Sequence, residues 1–108
     1  MQQQPIDWVD EAVQSLHAAA DRADRLGSAD VFSTWAAMAD QIRLVAHGLD
    51  PLSGPGRPRP RPSVGDCLTA ALEALDRVGP LTRPSDLPLW EWHVREIRDL
   101  VERLGALP

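Results

Sequence analysis

Apolar side chains recur at steps of three and four residues in four stretches of this chain, the spacing that holds one stripe of an α-helix against a core. The first stripe is Val9, Val13, Leu16, Ala20 and Ala23, with Ile6 and Leu26 at its ends. The second is Val31, Trp35, Met38, Ile42, Val45 and Leu49, and the third is Val64, Cys67, Leu68, Ala71, Leu75 and Val78. The fourth is Leu87, Trp90, Val94, Ile97, Val101 and Leu104. No stretch alternates apolar and polar residues with period two, so no strand is expected.

Boundary residues fit these four elements. Pro5 suits a first helical turn, Asp7, Asp10 and Glu11 favour a helix N-terminus, and Gly27 suits the position just past the end. Ser28 can cap the second helix, which Gly48 and Pro51 end. Ser63 with Asp66 three residues on resembles a capping box, and Gly79-Pro80 stops the third helix. Ser85 or Asp86 opens the fourth, Pro88 lies in its first turn, and Gly105 closes it. The expectation is all-α: an up-down four-helix bundle in one domain over 1–108, with helices near 6–26, 29–48, 64–78 and 87–104. Two helical hairpins are joined by a loop over 50–63. Burying a large side chain is worth roughly 1.5–3 kcal/mol, so the stripes support a core without metal or disulfides.

Composition changes the picture mainly in that loop. Ten of the 108 residues are proline, and Pro51, Pro55, Pro58, Pro60 and Pro62 fall within it. Alternating Arg57-Pro-Arg59-Pro-Arg61-Pro lacks the donors for helix or inner strand and predicts polyproline II, at about 3.1 Å per residue. Such an arm either docks on a groove or acidic surface or is a stiff spacer, the commoner use. It is also the one basic block: residues 1–50 carry eight acids against three arginines, and 64–108 eight against five.

The formal net charge is −5, which argues against a general nucleic-acid binder. The Asp10, Asp21, Asp24 stripe raises the idea of an acidic nucleic-acid mimic, for which this charge is too mild. No apolar run approaches the ~20 residues of a membrane span, and no signal-peptide pattern stands out. All eleven basic residues are arginine, and Lys, Asn and Tyr, whose codons are A/T-rich, are absent. The expectation is a cytoplasmic protein of a high-GC bacterial genome.

Catalytic and metal chemistry find little support. Cys67, the single cysteine, forms no internal disulfide and on its core stripe reads as a buried, inert thiol. His17 and Asp21 stand one turn apart and could share a divalent ion. Di-metal bundles, however, use inward Glu-x-x-His motifs that this chain lacks, so a solvated acidic face is the better reading. His47 suits the dipole at a helix C-terminus. No phosphate-cradling loop or nucleophile arrangement occurs, and no metal or cofactor is expected.

Two functional readings follow. The first is a non-enzymatic bundle that binds itself or another protein chain. On a wheel of the fourth helix Trp92 falls opposite the core stripe, among Glu96, Asp99 and Arg103. Leu44 falls on the outer face of the second helix and Trp8 on the flank of the first. Tryptophan is enriched at interaction hot spots. The interface candidates are thus Trp92, Leu44 and Trp8, with Arg57, Arg59 and Arg61 of the arm; lone exposed apolar residues are also common on surfaces without partners. The alternative is a small-molecule-binding bundle or small all-helical enzyme with a pocket lined by Trp35, Met38, Trp90 and His93. The many alanines favour close helix approach over such a void.

Overall fold

A computed structural model describes residues 7–27, 34–51, 63–80 and 83–105. They form four helices: α1 (Trp8–Leu26), α2 (Thr34–Leu49), α3 (Val64–Asp76) and α4 (Leu87–Gly105). No strand occurs among the described residues. The chain is a four-helix bundle.

Local chemistry sets the ends. α1 starts after Asp7, whose side chain accepts a hydrogen bond from the Asp10 backbone N–H at 3.1 Å. Ser63 does the same for the Asp66 N–H ahead of α3, also at 3.1 Å, which is the serine half of the capping box. Gly27 ends α1 with a φ of −93°, so it uses no left-handed conformation there; its N–H simply reaches back to the Ala23 carbonyl at 3.0 Å. Asp86 precedes α4, and its carboxylate accepts from the Trp90 indole N–H at 3.0 Å. Ser28 and the Arg-Pro segment with Arg57, Arg59 and Arg61 lie outside the described residues.

Packing makes α1 the most enclosed helix. Val13, Leu16, Ala12, Ala19, Ala20 and Ala23 are all fully buried, and their mostly small side chains let α2 and α3 close on α1 from two sides. Opposite these, Ile42, Leu68, Leu75, Leu87 and Val94 complete a core from which water is excluded. α4 lies against α3 and α2 but not against α1, so the order around the bundle is α1, α2, α4, α3. α2 and α3 therefore face each other across a diagonal.

Helix directions follow from side-chain neighbours. His17 of α1 meets His47 of α2, and Arg43 bonds Asp21 and Asp24, so these helices are antiparallel. Arg77, just past α3, covers Trp8 at the start of α1. Trp90 early in α4 stands against Gly48 late in α2, and Val101 late in α4 stands near Gly65 early in α3. Every packed pair is antiparallel, as alternation requires. α2 and α3, across the diagonal, run the same way, and the chain between Pro51 and Ser63 has to carry the backbone back toward the other end. No described helix is long and apolar enough to cross a membrane.

Candidate functional site

Among the described residues, the outer face of α4 groups three exposed large apolar side chains. Leu89 is 51% exposed, Trp92 53% and Leu100 40%. Helix geometry places Leu89, His93, Glu96 and Leu100 on one stripe, at steps of four, three and four. Trp92 runs along the edge of this stripe and packs edge-on against the His93 ring, 5.0 Å between centroids. Trp92 was visible in the sequence as an outward residue. Leu89 and Leu100 were missed, although the heptad-like spacing on the side away from the core would have shown them.

The remaining interface candidates stand elsewhere. Leu44 is 61% exposed on the outer face of α2. Trp8 is half-buried against the core, with the Arg77 guanidinium 5.0 Å from its ring centroid, so α3 already covers part of it.

The four side chains read as one pocket do not converge. Met38 is buried in the core. Trp35 opens α2 near Val64 and Val101, while Trp90 lies at the opposite end, pressed on Gly48. His93 sits between Trp90 and Trp92, with ring centroids 5.8 Å and 5.0 Å away. Antiparallel packing of α2 on α4 separates the starts of the two helices, which spacing within each helix could not reveal.

One buried polar group departs from expectation, and a second, Glu91, carries a paired charge. His17 does not lie on a solvated acidic face: it is buried at the α1–α2 seam, edge-on to the exposed His47 ring at 5.7 Å. Burial, then the neighbouring His47 and Arg43, lower its pKa, and Asp21 opposes them. Asp21 and Asp24 are paired with Arg43, which makes these two acids of the stripe a helix-to-helix clamp. Glu91, only 6% exposed, bonds Arg83 at 2.5 Å and Arg95 at 3.4 Å. Cys67 is fully buried on α3, as its stripe predicted. No group of three or more metal-ligating side chains occurs among the described residues.

At the other end of the bundle a cleft of about 540 Å³ opens between the ends of α1 and α4 and the starts of α2 and α3. Its lining includes Arg22, Arg25, Leu26, Trp35, Val64 and Val101. Comparison with protein-family models, curated proteins and solved structures finds no match, so function is read from the chain's own residues.

Proposed function

We propose that this chain is a non-enzymatic interaction protein, a small helical bundle that associates with a second copy of itself through the outer face of α4. The observation that carries the reading is the row of Leu89, Trp92 and Leu100, each at least 40% exposed along one helix. Large apolar side chains grouped on one face, and not scattered singly, mark contact sites.

The stripe is self-complementary. Two copies of α4 set antiparallel about a two-fold axis near residues 94 and 95 place Leu89 opposite Leu100 of the second copy. The same arrangement sets His93 opposite Glu96 of the second copy, joining a cationic or donor group to a carboxylate. Trp92 extends the contact along one edge, and Leu44 on α2 offers a further apolar position. The single cysteine and the arginine-only basic residues favour a bacterial cytoplasmic setting for it.

Light scattering on the purified chain tests the reading. The expected result is a dimer that becomes monomeric in Leu100→Glu with its helical signal intact. A wild-type chain that stays monomeric at millimolar concentration overturns self-association; a monomer that binds a defined protein through Trp92 makes the surface an adaptor site instead.

A further inference from the structure

We infer that the centre of the α4 contact is a site for a divalent transition ion, held by His93 and Glu96 of both copies. The inference rests on the proposed self-association and deepens it by naming what the middle of that contact takes. One chain supplies half of the donors. His93 is half-buried and Glu96 exposed, three residues apart on α4. That spacing sets two side chains on one helix face, within reach of a common atom. Metal-binding bundles use the same spacing in the order Glu-x-x-His, which is reversed here. The His93 ring stands between the indoles of Trp90 and Trp92, with centroids 5.8 Å and 5.0 Å away, so packing limits how the imidazole turns. Among the described residues, no three metal-ligating side chains gather within a single chain. A complete site needs the second copy.

The two-fold axis near residues 94 and 95 supplies it. Each His93 faces Glu96 of the second copy, so the two Glu96 positions are offset along the seam by three residues, about 4.5 Å. The two His93 positions are offset by the same amount. Four donors therefore share one turn of helix around the axis. Without an ion, the contact draws two carboxylates together. With one, the two carboxylates balance a divalent charge and two imidazole nitrogens complete four-coordination. Two nitrogen and two oxygen donors suit Zn²⁺, which takes four ligands at about 2.0–2.2 Å. Imidazole ligands favour it over Mg²⁺, which prefers six oxygens.

The dimer dissociation constant, measured by light scattering in EDTA, in Zn²⁺ and in Mg²⁺, tests the site. Zn²⁺ at ten times its own dissociation constant should tighten the dimer about tenfold, with one ion per two chains, and Mg²⁺ should not. His93→Gln and Glu96→Gln should each lose the Zn²⁺ effect, and the same variants in EDTA read the metal-free contact separately. His47→Gln, which removes an imidazole at the α1–α2 seam, should keep the effect. A dimer in EDTA that Zn²⁺ leaves unchanged overturns the metal site and leaves the α4 contact standing. A chain that is monomeric with and without Zn²⁺ overturns both. One ion per chain, or tightening that survives both α4 variants, places the ion elsewhere and also overturns the site.

Discussion

The indole of Trp90 occupies the space above Gly48 that any larger residue would need: a Cβ at position 48 would lie under 3 Å from its six-membered ring. This close approach seats α4 on α2, and Asp86 holds the indole from the other side through its N–H. A helical glycine normally costs up to about 1 kcal/mol relative to alanine. Here overpacking, typically about 1–3 kcal/mol, opposes that gain and exceeds it, because the ring is rigid and anchored. Gly48→Ala should therefore lower stability by about 1–2 kcal/mol. In urea denaturation the loss should largely disappear in Gly48→Ala/Trp90→Leu, a non-additivity that separates the clash from propensity.

His17 predicts a pH dependence of known sign. Its folded pKa lies below the ordinary 6.5, chiefly through burial and the facing His47, with Arg43 adding to the effect and Asp21 opposing it. The unfolded chain thus takes up the proton first. The associated stability is fully present above about pH 6.5 and is lost as pH falls below it toward the folded value. Urea midpoints measured at pH 7.5 and at pH 5.5 should show a drop at the lower pH that His17→Gln reduces. An unchanged drop in that variant would place the titration elsewhere.

Glu91 ties the residues before α4 to the helix itself, through Arg83 and Arg95. Its carboxylate is buried, while Arg83 and Arg95 are partly in water. Removing the acid leaves those cations hydrated, so Glu91→Ala should cost about 1–2 kcal/mol, less than breaking a fully buried pair. Thermal melts with and without 1 M salt should show most of the effect surviving screening, because one partner is out of water.

The return path from α2 to α3 makes length, and not composition, the requirement on the Pro51–Ser63 segment. Its twelve residue steps reach about 40 Å at most, against about 20 Å for the length of α3. Replacing Arg57–Pro62 with Gly and Ser of equal length should leave cooperative unfolding intact. Deleting Pro55–Pro60 cuts the reach to about 20 Å, with nothing left to pass around a helix, and should abolish the native melt. Equal stability in the two variants would contradict the direction assigned to α3.

The four helices were legible because each carries a stripe at helical spacing, and the Ser63 cap because its hydroxyl and the Asp66 N–H it serves lie three residues apart; Asp7 read only as an acid near a helix start, and the structure makes it the N-cap. What sequence spacing could not carry was the relation between helices. His17 sits on a polar stripe of α1 whose acids stay exposed, but α2 covers it at the His47 contact, so a histidine that patterns as exposed is buried. Glu91 is buried as a charge paired with Arg83 and Arg95, a relation that the stripe of apolar positions does not carry. Trp35 and Trp90 both belong to core stripes, and only the antiparallel packing of α2 on α4 sends them to opposite ends. Trp92 was legible because its position depends on α4 alone.

Cross-linking between copies tests the α4 contact most directly. Chains carrying His93→Cys are mixed with chains carrying Glu96→Cys and oxidised; Cys67 is fully buried and does not compete. The antiparallel contact predicts a covalent heterodimer in higher yield than either variant gives alone, and its loss when Leu100→Glu is added. No covalent dimer, or equal yields from the single variants, would contradict the claim that α4 is the surface through which this bundle meets its second copy.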